Sequence, residues 1–311
     1  MDNFLYCFDS NYNKQGFCSI ISLLNNSQSI KDIYIIHQDP DSFNKFSKII
    51  IEHKNLNNLN IYKFNEENIS FPNLENKHVS EATYYRLFMN KYLPKDIDYI
   101  FYIDADAFLI KNYEEKLKNE KLKLKRSKHI VSALTSKRDN HHLRLNLKHP
   151  KYLNAGIMLI NYKKWLETKA SESLLKILHK PNIELEFWDQ DVLNIYFNGE
   201  YEELDTSLNY NVYGDQQRSE EVLKTIKKQA IIVHYSGKHK PWSPKGIFSI
   251  ESNFYTEIYR TLFNEKYHIV NVWSYNTLKV ILKNLLNLNI FKLEYPLSYL
   301  SISLKSILKK N

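Results

Sequence analysis

The chain has 311 residues, of which 43% are hydrophobic, so it is long enough to bury a core and too apolar to be disordered as a whole. It contains only six glycines and neither a Walker-type nor a dinucleotide-binding glycine motif. The sequence therefore gives no support for a P-loop protein or for a dinucleotide-binding protein. The net charge of +8 fits either a basic, soluble surface or an anionic partner, and the position of the excess charge decides between them.

Two cysteines, Cys7 and Cys18, are the whole thiol content of the chain. This number is too small for a zinc cluster or a disulfide framework and is typical of a reducing compartment. The first eighteen residues include Asp2 and Asp9 without a basic leader, so they do not resemble a signal peptide. No stretch reaches the roughly 20 apolar residues that span a bilayer. We predict a cytoplasmic protein, with peripheral binding to the inner face of the cytoplasmic membrane as an alternative.

Short apolar runs alternate with segments of helical periodicity through the first half of the chain. The predicted strands are residues 4–8, 33–37, 59–64, 99–104, 129–134, 154–160 and 230–234. The predicted helices are residues 12–24, 43–51, 83–93 and 192–197. The run at 99–104 is continuously apolar, as in the central strand of a parallel sheet. This alternation predicts an α/β fold with crossover helices.

Much of the positive charge is concentrated in two places. Residues 114–128 contain seven lysines or arginines, which indicates a solvated, partly helical surface segment. In the tail, leucines and isoleucines follow two helical stripes separated by Pro296, and Glu294 is the only acid after residue 270. Such a tail either packs on the main domain or lies in an anionic membrane interface. We predict a domain of residues 1–265 and a basic, amphipathic helical appendage of residues 266–311.

Asp104 and Asp106 follow the central apolar strand. Side chains at i and i+2 of an extended chain point the same way, so the two carboxylates converge where open α/β sheets bind ligands. Three other D-x-D pairs occur, at 39/41, 96/98 and 189/191, but only the pair at 104/106 has apolar stretches on both sides. Two neighbouring carboxylates favour a divalent cation, Mg²⁺ or Mn²⁺, and an added imidazole ligand favours Mn²⁺.

Six short motifs occur in order over about residues 1–245: FDSNY at 8–12, SEATYYRL at 80–87, YIDAD at 102–106, YLNAGI at 152–157, WDQDVLN at 188–194 and HYSGKHKPW at 234–242. In order and spacing they resemble the retaining glycosyltransferases of family 8, notably bacterial lipo-oligosaccharide galactosyl- and glucosyltransferases. The resemblance implies a single Rossmann-like, GT-A type domain with a mostly parallel sheet. It also implies metal-dependent transfer of galactose or glucose from a UDP-hexose donor to an oligosaccharide or glycolipid acceptor.

The resemblance assigns roles to individual residues. The implied metal ligands are Asp104, Asp106 and His234. The implied contacts to the donor nucleotide and its diphosphate are Asp9, Asn11, Tyr12, Arg86, Ala105, Gly237 and Lys240. The implied contacts to the donor sugar are Asn154, Ala155, Gly156, Asp189 and Gln190, and the candidate catalytic residues among these are Asn154, Asp189 and Gln190.

The chain departs from the family pattern at one position. Many relatives carry an acid directly after the strand that ends at Leu134, whereas this chain has Thr135, and Asp139 is the candidate substitute. The choice between galactose and glucose is affected by this departure.

Retention of configuration requires either two inversions through an enzyme nucleophile or attack from the leaving-group face. Gln190 is the side chain that the resemblance implies near the anomeric carbon, and a neutral amide is a poor nucleophile. We therefore favour front-face attack, in which the departing phosphate accepts the proton of the acceptor.

Three other functions fit parts of the sequence. A non-catalytic sugar-nucleotide-binding or lectin-like protein would share the fold, although the intact aspartates and histidine favour catalysis. A nucleic-acid-binding protein would fit the charge of +8, but no nucleic-acid motif is present, so we predict no nucleic-acid partner. A self-glucosylating, glycogenin-like enzyme is the third, and the amphipathic tail fits a membrane lipid acceptor better.

Overall fold

The computed structural model describes residues 1–66, 69–72, 80–136, 140–181, 183–214, 219–270 and 275–308. The chain divides into two compact units, each assembled from two stretches of sequence. The first unit consists of residues 1–105 and 112–209, and the second of residues 106–111 and 210–311. The chain first changes unit between Ala105 and Asp106, inside the predicted metal-binding motif. The domain boundary at residue 265 stays a prediction.

The strands are β1 (Asp2–Phe8), β2 (Lys31–His37), β3 (Leu56–Lys63), β4 (Tyr99–Ile103), β5 (Ala107–Leu109), β6 (Val131–Thr135), β7 (Leu153–Asn161), β8 (Glu202–Glu203), β9 (Tyr210–Val212) and β10 (Ile232–Tyr235). The helices are α1 (Asn13–Asn25), α2 (Asn44–Ile51), α3 (Met89–Tyr92), α4 (Glu114–Arg126), α5 (His141–Arg144), α6 (Tyr162–Glu167), α7 (Ala170–Leu178), α8 (Trp188–Phe197), α9 (Glu220–Gln229), α10 (Asn253–Phe263), α11 (Tyr275–Leu286) and α12 (Pro296–Leu308). Every strand predicted from an apolar run is present, because such runs are buried.

The first unit is built on a seven-stranded sheet in the order β3-β2-β1-β4-β7-β6-β8, counted over the described residues. β1, β2, β3 and β4 pair in parallel, and β7 lies antiparallel between β4 and β6. The sheet is therefore mostly parallel, as predicted, with one reversed strand. Helix α1 buries the predicted stripe of Phe17, Ile20, Ile21 and Leu24 in this unit.

The segment predicted as a helix over residues 83–93 differs in type. It is a 3₁₀-helix, Glu81–Phe88, followed by the single turn α3. A 3₁₀-helix repeats every three residues and distributes its side chains around the axis differently from an α-helix. Tyr84, Tyr85 and Arg86 are all buried, so this segment is enclosed on several sides.

The second unit contains a three-stranded sheet in the order β5-β10-β9, again within the described part of the chain. β10 runs antiparallel to β5 and parallel to β9. The ring of Phe108 on β5 lies 5.8 Å from that of Tyr235 and 5.1 Å from that of Tyr255, measured between centroids. This aromatic packing anchors β10, the strand that carries His234.

Within the second unit, helix α12 and the turn before it pack on Ile247 and Tyr267. This part of the tail therefore packs on the rest of the chain, which is one of the two predicted alternatives. The residues of this small core are Ile247, Tyr267, Ile290, Leu293 and Tyr299. Other apolar side chains of the tail are exposed to solvent: Leu286 is 81% and Leu297 78% exposed. Among the helices that the structure describes, none has the length and apolar composition needed to cross a bilayer.

Candidate active site

One edge of the large sheet gathers several predicted site residues of the first unit. β1 and β4 are parallel neighbours and β7 runs antiparallel to β4, so the carboxyl ends of β1 and β4 meet the start of β7. Ligands bind at such edges of α/β sheets. After β1, the carboxylate of Asp9 accepts a hydrogen bond from the Asn11 amide at 3.0 Å, and its carbonyl accepts one from the Tyr12 amide at 3.0 Å.

Asp104 is joined to the start of β7 through the backbone. Its amide donates to the carbonyl of Gly156 at 2.8 Å. The side-chain oxygen of Asn154 accepts hydrogen bonds from the Gly156 amide at 3.2 Å and from Nδ2 of Asn209 at 3.0 Å. The strand that is predicted to bind the sugar and Asp104, the first predicted metal ligand, are therefore held at one place in the first unit.

Arg86 connects this edge to α8 from inside the protein. Its guanidinium donates to Oδ1 of Asp104 at 3.0 Å and to the carbonyl of Ala155, and its Nε lies 2.9 Å from Oδ2 of Asp189. The guanidinium carbon lies 4.0 Å from the centroid of the Tyr102 ring. Sequence resemblance implies that Arg86 binds the diphosphate, and that role stays a prediction. The contacts within the first unit indicate a second role, in fixing Asp104.

Asp189 is a buried carboxylate in the first turn of α8. Burial raises its pKa to about 6, and the nearby charge of Arg86 and a hydrogen bond from Thr83 offset only part of that effect. The Thr83 hydroxyl donates to Oδ1 of Asp189 at 2.5 Å. The side chain is thus held from two sides by neighbouring residues of the 3₁₀-helix.

Gln190, next to Asp189, is fixed at both ends of its amide. Its Oε1 accepts a hydrogen bond from the Ala155 amide at 3.0 Å, and its Nε2 donates to the Tyr152 hydroxyl at 3.1 Å. The Tyr152 hydroxyl in turn donates to Oδ1 of the fully buried Asp191 at 2.6 Å. Burial and Asp191 raise the pKa of this hydroxyl, so it stays protonated and remains a donor.

The second unit brings together Asp106, His234 and Lys240. Nε2 of His234 lies 3.4 Å from Oδ1 of Asp106, and Nζ of Lys240 donates to Oδ2 at 2.6 Å. All three side chains are largely buried. Burial by itself would raise the pKa of Asp106, but Lys240 and His234 outweigh it and hold the pKa below its ordinary value. Asp106 is therefore a carboxylate ion near neutral pH.

The orientation of the His234 ring follows from its neighbours on β9 and β10. The Ser236 hydroxyl donates its only hydrogen to Oδ1 of Asn211, and Nδ1 of His234 lies 3.2 Å from the same hydroxyl oxygen. Nδ1 therefore donates to Ser236. Nε2 is then the ring nitrogen on the Asp106 side, and a hydrogen bond from Nδ1 to a neighbour is the usual means by which a protein orients a metal-ligating imidazole.

The structure therefore distributes the predicted residues over both units. The first unit holds Asp9, Asn11, Tyr12, Arg86, Asp104, Ala105, Asn154, Ala155, Gly156, Asp189 and Gln190, and the second holds Asp106, His234, Gly237 and Lys240. Thr83, Tyr102 and Tyr152 carry positioning contacts that the sequence does not reveal, although all three lie inside the quoted motifs.

The departure at Thr135 has a structural counterpart. Its amide and hydroxyl both donate to the carboxylate of Glu203, at 2.8 and 2.6 Å. An acid thus lies beside this strand end, supplied by β8. Asp139, the candidate substitute predicted from sequence, lies outside the described residues.

Comparison with known proteins agrees with the motifs. The sequence profile of glycosyl transferase family 8 matches residues 3–246. The lipopolysaccharide 1,2-glucosyltransferase of Escherichia coli (strain K12) is 27% identical over 257 residues, covering 79% of this chain and 74% of that protein. The lipopolysaccharide 1,3-galactosyltransferase of Salmonella typhimurium (strain LT2) is 25% identical over 187 residues, covering 57% of this chain and 54% of that protein.

Among solved structures, the galactosyltransferase LgtC in complex with donor and acceptor sugar analogs superposes with a TM-score of 0.68. The two share 17% sequence identity, and the match covers 89% of this chain and 99% of LgtC. This likeness confirms the predicted GT-A type fold. From the profile match, the chain belongs to glycosyltransferase family 8, a family of retaining hexosyltransferases that use UDP-sugar donors.

Proposed function

We propose that this chain transfers galactose or glucose from a UDP-hexose to a saccharide acceptor, with retention, in the synthesis of lipopolysaccharide, lipo-oligosaccharide or another surface glycan. The family supports the reaction class. The names of two relatives, a glucosyltransferase and a galactosyltransferase of lipopolysaccharide, support the acceptor class and keep both hexoses in the proposal.

The proposed metal ligands are Asp104, Asp106 and His234, and the observation that carries this proposal is the Asp106–His234 pair. The carboxylate oxygen Oδ1 of Asp106 and Nε2 of His234, 3.4 Å apart, form a donor set that suits Mn²⁺ better than Mg²⁺. Asp104 lies two residues before Asp106, and both hydrogen bonds that fix its carboxylate end on Oδ1. When bound, the cation would supply Lewis-acid charge to the diphosphate leaving group.

The remaining donor contacts are proposed for residues around these ligands. Asp9, Asn11, Tyr12 and Ala105 would bind the uridine, and Gly237, Lys240 and Arg86 the diphosphate. Asn154, Ala155, Gly156, Asp189 and Gln190 would face the sugar. Lys240 is already held beside Asp106, so its positive charge needs little reorganisation to act on a leaving phosphate.

The amide of Gln190 supports a front-face mechanism. It is neutral, and Ala155 and Tyr152 fix its two ends, so it can orient groups at the anomeric carbon without attacking it. The acceptor proton would then pass to the departing phosphate.

We also propose that the enzyme works at the cytoplasmic face of the membrane, with its tail on an anionic lipid surface. Leu286 and Leu297 are exposed apolar side chains, α11 carries Lys279 and Lys283, and the one acid, Glu294, is paired with Arg260. Cosedimentation with phosphatidylglycerol vesicles but not with phosphatidylcholine vesicles or DNA would support this. Equal binding to DNA, or no binding to anionic vesicles, would contradict it.

The reaction is tested by incubating the full chain with UDP-galactose or UDP-glucose, Mn²⁺ and a panel of saccharide acceptors. Release of UDP, with the anomer of the transferred sugar read by NMR, is the expected result, and Asp106→Asn should lower the rate at least about 100-fold. Asp96→Asn, a matched change in the exposed D-x-D at 96/98, should leave the rate unchanged. Binding of UDP without any release of UDP from a sugar donor would instead support the non-catalytic alternative.

A further inference from the structure

The second unit contains a buried carboxylate, Glu251, that belongs to none of the motifs described above. Its side chain is 3% exposed. Oε2 accepts hydrogen bonds from the Gly214 amide at 2.6 Å and from the Ser249 hydroxyl at 3.0 Å. A buried carboxylate requires such donors in place of water, and hydrogen bonds to a charged acceptor are stronger than neutral ones. Glu251 therefore holds the backbone at Gly214 firmly.

Gly214 lies directly against the segment of residues 235–240, which is part of the last predicted motif, at 234–242. Its φ of +66° is in the left-handed region, and a Cβ atom there would lie 2.0 Å from the carbonyl oxygen of His239. A Cβ on Gly237 would lie 2.9 Å from the carbonyl oxygen of Tyr213. Residues 213–214 thus contact the 235–240 segment at two places, with room for backbone only.

Glu251 also contacts the beginning of the same segment through its main chain. The Tyr235 hydroxyl donates to the carbonyl of Glu251 at 2.5 Å. Tyr235 is fully buried and directly follows His234. One residue therefore fixes the 235–240 segment at its start through a carbonyl and near its end through the side-chain bond to Gly214.

We propose that Glu251 is a positioning residue, which holds the 235–240 segment in the conformation that binds a nucleoside diphosphate. This inference rests on the proposed function, because that proposal assigns Gly237 and Lys240 to the diphosphate. The uridine contacts are proposed for the first unit, whereas Glu251 and the 235–240 segment both belong to the second. Loss of the Glu251 carboxylate should therefore weaken binding of the second phosphate and spare binding of uridine monophosphate.

The test compares UDP and UMP binding to the full chain by calorimetry in the presence of Mn²⁺. Glu251→Gln keeps the size of the side chain and removes its charge. We expect the ratio of the UMP to the UDP dissociation constant to fall about tenfold, the effect of losing a strong charge-assisted hydrogen bond. The KM for the UDP-sugar should rise by a similar factor with kcat changed less than about threefold. Glu257→Gln, on the exposed side of α10, is the matched control and should leave the ratio unchanged.

Simple loss of folded protein lowers the fraction that binds either ligand, so it leaves the ratio of the two constants unchanged. A lower melting temperature together with an unchanged ratio would assign Glu251 a purely structural role and overturn the inference. If the unmodified chain itself fails to bind UDP more tightly than UMP with Mn²⁺, the proposed function fails instead. The two failures are therefore distinct.

Discussion

Nε of Arg86 lies 2.9 Å from Oδ2 of Asp189, and both side chains are buried. The same guanidinium reaches Asp104 and the carbonyl of Ala155. One arginine therefore connects the residue after β4, the start of β7 and the first turn of α8. Such a network is sensitive to substitution, because removing one partner of a buried ion pair leaves the other charge uncompensated.

Replacing Arg86 by lysine should be damaging although the charge is kept. A lysine ammonium lacks the planar fork that reaches three partners at once. We expect Arg86→Lys to lower the free energy of unfolding by at least about 2 kcal/mol, measured by urea denaturation. Arg126→Lys, at an exposed position of α4, is the control and should change it by less than about 0.5 kcal/mol. A stability for Arg86→Lys equal to that of the control would contradict the network.

The pKa of Asp189 leads to a prediction about pH. Burial raises this pKa to about 6, above the value of about 3.9 for an unfolded aspartate. The folded chain therefore binds the proton more tightly, so this group contributes stability that is present at low pH and lost as the pH rises through about 6.

Relative to Asp189→Asn, the unmodified chain should gain about 1 kcal/mol of unfolding free energy when the pH falls from about 7.5 to about 5. Urea denaturation of both proteins at both pH values measures this difference. A difference that is independent of pH, or one of opposite sign, would show that the pKa of Asp189 is not raised.

The hydroxyl of Tyr152 bridges Gln190 and Asp191, so Tyr152→Phe removes one contact from each. We expect kcat to fall about tenfold because Gln190 loses its orientation, and the unfolding free energy to fall by about 1–2 kcal/mol because buried Asp191 loses a donor. Tyr196→Phe, a partly buried position of α8, is the control. An unchanged kcat in Tyr152→Phe would contradict the proposal that this hydroxyl orients Gln190.

The main strands could be predicted from sequence because β1, β2 and β4 are buried on both faces and therefore consist of apolar runs. The antiparallel orientation of β7 could not be predicted, because an apolar run does not indicate whether a strand is parallel or antiparallel to its neighbours. Residues 162–178 form two short helices separated at Lys169, whose φ is +52°, and such short segments give only a weak periodic signal.

In the candidate site, too, some features could be predicted from the sequence and others could not. The residues that belong to motifs, such as Asp104 and His234, can be named from their order in the sequence. The contact between Thr135 and Glu203 joins positions 68 residues apart on β6 and β8, and no local pattern connects them. The packing of Gly214 against His239 likewise depends on tertiary structure.

Binding of Mn²⁺ to the full chain in the presence of UDP tests the central proposal most directly, with free Mn²⁺ measured by electron paramagnetic resonance. We expect one bound ion per chain, and at least about tenfold weaker binding in both Asp106→Asn and His234→Gln, since each removes a proposed ligand. Asp96→Asn should bind Mn²⁺ as the unmodified chain does. Unaltered Mn²⁺ affinity in His234→Gln and Asp106→Asn would contradict a cation site at this pair.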